Sequence, residues 1–331
     1  QINDWKYVVR RFDRFNYDLE VIASPKKVQE IPNSLFKYYS INNYSLDALE
    51  NSYIYAAHPA ELNDIWDCNK NHLDVSDFVK NDISFQEFCS TYLYDKSIEE
   101  IKLDDYSLIK DFLYQLTYQT YGVLSTSKYG HNILMWSYYT GNSGFCIEFN
   151  TEKLKNTMKE KYKVFGPFPI NYTKDFEPIK LHNIDIKLNL IYNSTTKFQD
   201  WDHENEWRIL LSYPKEDMME TPFMRKKDFP DLKDRKFYYQ NSNCIERILI
   251  GRHFLDYFNN EISVENGVVI IGNKSEENCK SFELKRKFVK FVSEHKIKTF
   301  ILLPMQELKT LKSEFEYGEK ELKIWLDENE K

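Results

Sequence analysis

Cysteine is scarce in this sequence, and the few thiols are scattered. The 331 residues contain 5 cysteines, and no two of them form a CxxC pair. They are Cys68, Cys89, Cys146, Cys244 and Cys279. An odd number of widely spaced thiols favours reduced cysteines in a cytosolic protein over a disulfide framework or a zinc site. We therefore expect every cysteine to titrate as a free thiol.

Long apolar runs are absent as well. No stretch approaches the roughly 18–20 uninterrupted apolar residues that a membrane-spanning helix needs. The start of the chain, from Gln1 to Arg14, alternates charged and aromatic side chains and lacks the apolar centre of a signal peptide. The expectation is a cytoplasmic protein with no membrane partner.

The sequence has no excess of positive charge. Its formal net charge is −7, and no segment stands out as a strongly basic domain. The charge therefore offers no large electrostatic footprint for duplex nucleic acid, although it does not exclude a local basic groove. The short basic runs at residues 26–27 and 225–227 are expected to be solvated surface.

Aromatic side chains, by contrast, are abundant. The chain has 24 Tyr and 23 Phe, and aromatics make up 16% of it, so the core must be rich in rings. Hydrophobic residues at 42% and charged residues at 29% are typical of a globular protein rather than a disordered one. A chain of 331 residues allows either one elaborated domain or two.

The order of predicted elements indicates the fold class. The chain opens as strand, short helix and strand over residues 35–57, with Ser45 as the predicted N-cap of the helix. Further strands are predicted at 123–127, 145–149, 164–172 (at a sheet edge), 206–211, 245–250 and 299–303. Further helices are predicted at 85–119, 133–136, 179–198, 282–294 and 305–325.

This order predicts an α+β fold, with a mixed, largely antiparallel sheet flanked by helices. We expect an N-terminal extension over residues 1–34 and a core over 35–251. Residues 252–331 are expected to add α/β elements that pack on this core.

Three parts of the chain carry a family resemblance. The stretches are LFKYYS with LNDIWD (35–40, 62–67), MWSYY with GFCIEF (135–139, 144–149) and ENEWR (204–208). In order and spacing they are similar to the bacterial domain-of-unknown-function family 2971, over roughly residues 35–251. The resemblance implies a fold related to that of the family, but it implies little about the reaction or its residues. It also suggests a role in phage defence, because many relatives lie near phage-defence genes.

Two positions depart from the pattern of that family. Ile65 stands where the family usually has proline, and Tyr138 stands where it usually has histidine. If the histidine is functional in the relatives, its role is lost or altered in this chain.

An ordered set of strand motifs resembles a catalytic arrangement. A cation, Lys37, lies on the first strand, and the run Ser125-Thr126-Ser127 ends a middle one. Glu204 and Glu206 open a later strand. This order resembles the arginine–serine–glutamate arrangement of ADP-ribosyltransferases and implies an ADP-ribosyltransferase-like core that uses NAD. The acceptor that it implies is a nucleic acid, a protein or water.

Each residue type suits a step of that reaction. Cleaving the nicotinamide–ribose bond builds positive charge on the sugar, which the Glu206 carboxylate would stabilise while Glu204 directs the acceptor. Lys37 would hold the pyrophosphate, although it lacks the bidentate fork of the arginine it replaces. The serine hydroxyls would orient the ribose. Trp136 and Tyr139 would stack on a nicotinamide or another base.

Two alternatives stay open beside the transferase. In the first, the protein is a non-catalytic ligand-binding or regulatory protein on the same fold. Lys37 is then a strand-surface residue, the serines cap the next helix, and Glu206 pairs with Arg208. In the second, acidic residues gather around Mg²⁺ in a nuclease. They are Asp64, Asp67, Glu148, Glu204 and Glu206. The transferase is the leading hypothesis, and it assigns no metal ligand.

Overall fold

The computed structural model describes the backbone of residues 5–11, 19–25, 29–75, 110, 121–180, 186–213, 235–239, 242–258, 262–265, 268–271, 280–304 and 317–326. Side chains are described for residues 29–75, 110, 121–178, 191–213, 235–239, 243–256 and 283–302. Apart from the helical residue 110, the helix predicted over 85–119 lies outside these ranges. The basic runs at 26–27 and 225–227 lie outside them too.

The strands of the described chain are short and numerous. They are β1 (Trp5–Arg11), β2 (Leu19–Pro25), β3 (Ser34–Tyr39), β4 (Tyr53–Tyr55), β5 (Leu73–Asp74), β6 (Gly122–Ser127), β7 (Phe145–Asn150), β8 (Lys163–Pro169), β9 (Asn171–Thr173), β10 (Ile179–Lys180), β11 (Thr196–Phe198), β12 (Glu206–Ser212), β13 (Lys236–Tyr238), β14 (Ile245–Ile250), β15 (Ile262–Glu265), β16 (Val268–Ile271), β17 (Thr299–Pro304) and β18 (Tyr317–Leu326).

Within the described residues, the helices are fewer than the strands. They are α1 (Asn43–Glu50), α2 (Ile133–Thr140), α3 (Thr151–Lys159), α4 (Ile186–Thr195) and α5 (Lys280–Glu294). Short 3₁₀ turns lie at Pro59–Glu61, Lys70–His72, Gln199–Glu204, Ser242–Cys244 and Leu255–Phe258. Within the described part of the chain, no helix has the length and apolar character needed to cross a membrane.

Ten strands form one sheet, in the order β15-β16-β18-β17-β14-β7-β3-β6-β12-β8. The pairs β16–β18 and β14–β17 are parallel. The other neighbours in the sheet are antiparallel. The predicted α+β fold with a mixed, largely antiparallel sheet is therefore confirmed. β8 ends the order, which agrees with the edge position predicted from its two prolines.

Helices cover both faces of the central strands, because successive side chains of a strand point to opposite faces. Leu35 on β3 belongs to the larger core cluster, to which α1, α3 and α5 contribute Leu49, Leu154 and Phe288. Tyr38, also on β3, belongs to a second cluster. There α2 packs Met135 and Trp136 against Tyr38, Cys146 and Leu249. The sheet is thus flanked by helices, as the sequence predicted.

Helix α1 begins at a capping box, and Ser45 has a different place in it from the one predicted. The Asn42 side chain accepts a hydrogen bond from the Ser45 backbone N–H at 2.8 Å. The Ser45 hydroxyl accepts one from the Asn42 N–H at 3.1 Å. Asn42 is therefore the N-cap and Ser45 the third helical residue, so that two otherwise unpaired N–H groups are satisfied reciprocally.

Two predicted helices are corrected. The prediction over 305–325 is wrong from Tyr317 onward, because β18 forms ladders with β17 and β16 that satisfy its backbone on both sides. The rest of that predicted helix lies outside the described residues. The helix predicted over 179–198 is wrong at both ends. Ile179–Lys180 form β10, Ile186–Thr195 are helical, and Thr196–Phe198 form β11, which pairs in parallel with β9.

The described cysteines are buried free thiols. They are Cys68, Cys146 and Cys244, while Cys89 and Cys279 lie outside the described residues. Burial raises the pKa of the Cys68 and Cys146 thiols well above the ordinary value. A thiol that stays protonated is a poor nucleophile, so these cysteines contribute to packing.

Candidate functional site

The strands that carry the predicted site are neighbours in the sheet. β3 bears Lys37, β6 ends in the run Ser125-Thr126-Ser127, and β12 opens at Glu206. Between β6 and β12, Ser127 pairs with Glu206, and Ser125 pairs with Arg208. The sheet therefore brings together motifs that lie far apart in the chain.

β3 and β6 pair at a single position, Phe36 with Ser127. We call the unpaired stretch beyond this position the strand gap. The Lys37 ammonium lies in this gap and donates to the Ser125 carbonyl at 3.1 Å. Burial lowers the pKa of Lys37 to about 8, although the charge of Glu206 opposes the shift. Lys37 and Ser125 are both partly exposed. The gap thus presents an amine whose charge state would respond to a nearby anion.

The Glu206 carboxylate is held from several sides. Its Oε1 accepts from Arg208 Nε at 2.7 Å, and its Oε2 accepts from Arg208 Nη2 at 3.0 Å. The Lys197 ammonium lies 3.4 Å from Oε2. Burial works to raise the pKa of Glu206, but the charges of Arg208 and Lys197 and a hydrogen bond from Ser125 outweigh it and lower the pKa to about 2. Glu206 is therefore ionised at neutral pH, although it is 5% exposed.

Arg208 uses all five of its N–H donors inside the protein. Besides its two bonds to Glu206, it donates from Nη1 to Asp67 Oδ1 at 2.7 Å and from Nη2 to Asp67 Oδ2. The remaining Nη1 proton reaches the Ser194 carbonyl at 2.9 Å. Two forked contacts with carboxylates fix the guanidinium plane, and with it the position of Glu206.

Glu204 forms a second anchored carboxylate beside Glu206. Its Oε2 accepts from Lys197 Nζ at 2.6 Å, and its Oε1 accepts from the Tyr139 hydroxyl at 2.6 Å. Tyr139 in turn accepts from Asn63 Nδ2 at 3.0 Å. Burial and the charge of Glu206 raise the pKa of Glu204, against the opposing charge of Lys197. The two glutamates therefore have pKa values shifted in opposite directions.

We call these five buried charged residues the buried network. They are Asp67, Lys197, Glu204, Glu206 and Arg208, and each is 5% exposed or less. Three carboxylates against two cations leave the network one negative charge in excess when all are ionised. The Tyr139 hydroxyl partly offsets that excess as a donor, and Lys37 adds a positive charge nearby when it is protonated.

The other predicted site residues have structural contacts. The Thr126 hydroxyl donates to the Trp207 carbonyl and the Ser127 hydroxyl to the Glu204 carbonyl, both at 2.7 Å. The run therefore ties β6 to the next strand instead of capping a helix; the N-cap of α2 is Asn132. Trp136 is 4% exposed, and its indole donates to the Gly130 carbonyl, so it packs in the core and offers no face to a ligand.

The acidic residues of the nuclease alternative do not surround one point. Glu148 pairs with Arg247, and Asp64 accepts from the Trp66 N–H at 3.0 Å. The remaining three carboxylates bind Arg208 and Lys197 in the buried network. Over the described ranges, no group of three or more His, Cys, Asp or Glu side chains is arranged to hold a metal ion. The geometry gives the nuclease alternative no support.

Lys197 is the member of the buried network that the sequence did not single out. Its ammonium also lies 4.5 Å from the centroid of the Trp201 ring. One signal was available, because Lys197 is the single charged residue between Lys187 and Asp200. Lysine is rarely buried without a partner, so a lysine in this run requires one if the run is buried. The predicted helix over 179–198 did not assign Lys197 to a buried position.

A family comparison covers the part of the chain that contains both glutamates. Residues 135–209 match the family described as "Protein of unknown function (DUF2971)". This stretch is similar to that family. It runs from α2 to β12, so the resemblance is confirmed for the segment that supplies Tyr139, Glu204 and Glu206. Neither the curated proteins nor the solved structures contain a significant match.

Proposed function

We propose that this protein is an ADP-ribosyltransferase-like effector that uses NAD. The observation that supports this function most is the proximity of Lys37, Ser125 and Glu206. The Lys37 ammonium donates to the Ser125 carbonyl at 3.1 Å, and the charge of Glu206 acts to raise the pKa of Lys37. A cation, a hydroxyl and an ionised carboxylate are the groups that a ribosyl transfer from NAD requires at adjacent points.

The exposure of these residues suggests how NAD would approach. Lys37 and Ser125 are partly exposed, whereas Glu206 lies beneath them. The pyrophosphate would meet the Lys37 ammonium, and the ribose hydroxyls would meet Ser125 and Glu206. Because Arg208 holds Glu206 in place, its charge would be preorganised to face the developing ribosyl cation.

The cellular setting of the reaction belongs to the same proposal. The acceptor would be a nucleic acid, a protein or water in the cytoplasm. Phage defence is the context that the family resemblance suggests. In this proposal Glu204, whose pKa is raised, would direct the acceptor, since its partners Tyr139 and Lys197 hold it beside Glu206.

Nicotinamide release tests the proposed reaction. We expect the purified protein, given NAD and cell extract as a source of acceptor, to release nicotinamide. Glu206→Gln keeps the shape but removes the charge, so the rate should fall by roughly 10²- to 10³-fold. Glu246→Gln is the matched control, because Glu246 is an exposed carboxylate that pairs with Lys153, and it should keep the wild-type rate. A chelator should have no effect.

Several results would contradict the transferase. They are no NAD binding at millimolar concentration, equal rates for both glutamine variants, or activity that disappears with chelator. If Glu206→Gln fails to fold by circular dichroism, Ser125→Ala serves instead, because Ser125 is partly exposed and its loss leaves Arg208 paired. That variant should lower the rate of nicotinamide release while the protein stays folded.

A non-catalytic ligand-binding protein on the same fold is the second candidate function. The observation that favours it is the saturation of the carboxylates, since both Glu206 oxygens already accept from Arg208. A carboxylate neutralised in this way stabilises a developing cation less than a free one does. NAD binding by calorimetry without any release of nicotinamide would favour this candidate over the transferase.

A further inference from the structure

A cavity of about 390 Å³ opens beside the gap between β3 and β6. Phe36 forms one wall, and the loop of residues 128–132 that follows β6 forms the rest. We call it the loop pocket. Its volume falls within the roughly 300–1,000 Å³ typical of small-molecule sites. Gly130 lets the loop approach Phe36 closely, because a Cβ at that position would lie 2.7 Å from the Phe36 ring.

The backbone of the loop is fixed before any ligand arrives. The Tyr38 hydroxyl donates to the Tyr129 carbonyl at 2.7 Å, and the Trp136 indole donates to the Gly130 carbonyl at 2.8 Å. The Lys128 N–H donates to the Asn205 carbonyl at 3.0 Å. A loop held at three successive residues loses little conformational freedom on binding, so it is preorganised.

The side chains of the loop pocket suit one class of ligand. Phe36 is partly exposed and Tyr129 is 47% exposed, so both rings can contact a planar ring. The Lys128 ammonium lies 5.4 Å from the centroid of the Tyr129 ring, and His131 is exposed on the same loop. The lining residues Phe36 and 128–132 include no acidic side chain. Aromatic walls beside a cation favour a ring that carries a negative group.

We propose that the loop pocket binds a nucleotide. The base would stack on Phe36 and Tyr129, and the phosphate would lie at Lys128. Phe36 also pairs with Ser127, so the loop pocket lies against the end of the strand that carries Ser125. The inference rests on the proposed function for the identity of the natural ligand, because NAD is a pair of joined nucleotides.

Calorimetric titration with AMP tests the loop pocket. We expect wild-type protein to bind AMP, and Tyr129→Ala to weaken binding by roughly 5- to 150-fold, the usual effect of losing one stacked ring. Tyr129→Phe keeps the ring and should bind like wild type. Lys128→Ala should weaken binding up to about fivefold and reduce its salt dependence, because the lysine is exposed. Tyr44→Ala removes another exposed ring and is the matched control.

The outcomes separate this inference from the proposed function. AMP binding that depends on Tyr129, without nicotinamide release from NAD, would support the pocket and contradict the transferase. Nicotinamide release that Tyr129→Ala and Lys128→Ala leave unchanged would overturn the pocket and leave the transferase standing. AMP binding that Tyr129→Ala and Tyr44→Ala weaken equally, or no binding at all, would also overturn the pocket.

Discussion

The buried network and the loop pocket hold charge in opposite ways. Arg208 is 1% exposed, and each of its N–H groups donates to a protein partner. Lys128 is exposed, and its ammonium lies over a tyrosine ring. A buried charge cannot lose its partner without a large cost, because water does not replace it. An exposed charge keeps its hydration and can exchange it for a ligand. The network therefore stabilises the fold around the site, whereas the pocket presents exposed side chains that a ligand could contact.

Removing the shared cation should have the largest effect on stability. Arg208→Met leaves the carboxylates of Asp67 and Glu206 buried without their main partner. We expect the free energy of unfolding to fall by about 3–5 kcal/mol, as it does when a buried ion pair loses one member. Urea unfolding followed by circular dichroism measures it.

The control for that substitution is an exposed ion pair. Lys153 and Glu246 lie 3.1 Å apart, with side chains 55% and 40% exposed. Lys153→Ala should therefore change the free energy of unfolding by less than about 1 kcal/mol. Similar losses for Lys153→Ala and Arg208→Met would break the distinction between buried and exposed charge.

The network should also give stability a dependence on acid. The folded pKa of Glu206 is lowered from 4.5 to about 2, because Arg208 and Lys197 outweigh burial. The stability that Glu206 contributes is therefore present above pH 4.5 and is lost as the pH falls toward 2. Glu204 acts in the opposite sense, since its raised folded pKa favours the folded state at lower pH.

Unfolding at several pH values measures this smaller effect. We expect the difference in unfolding free energy between wild type and Glu206→Gln to shrink as the pH falls from 4.5 toward 2. A difference that stays constant over this window would show that the charge of Glu206 does not stabilise the fold.

Much of the sheet followed from the sequence, because short runs rich in β-forming residues mark strands such as Phe145–Asn150 and Glu206–Ser212. Glu206 and Arg208, two positions apart on one strand, had to share a face. The pairing of Glu206 with Arg208, which the non-catalytic alternative predicted, therefore follows from the local sequence. The strand β18 was not predicted, because its pairing with β16 and β17 depends on distant parts of the chain.

The partners and exposure of the site could not follow from the sequence in the same way. Asp67 was noted as a turn residue or metal ligand, and its contact with Arg208 joins residues 141 positions apart. Trp136 has a ring that can stack on a base, but its burial depends on tertiary packing that the local sequence does not show. The loop pocket depends on how close residues 128–132 come to Phe36, and no local pattern encodes that distance.

The ionisation of Lys37 tests directly whether Lys37, Ser125 and Glu206 form an NAD site. ¹³C-dimethylated lysines can be titrated by NMR, and Lys37→Arg assigns the signal. Without ligand we expect a pKa of about 8. With NAD present, the pyrophosphate should favour the charged amine, and the pKa should rise. A Lys37 pKa that stays the same at millimolar NAD would contradict the account.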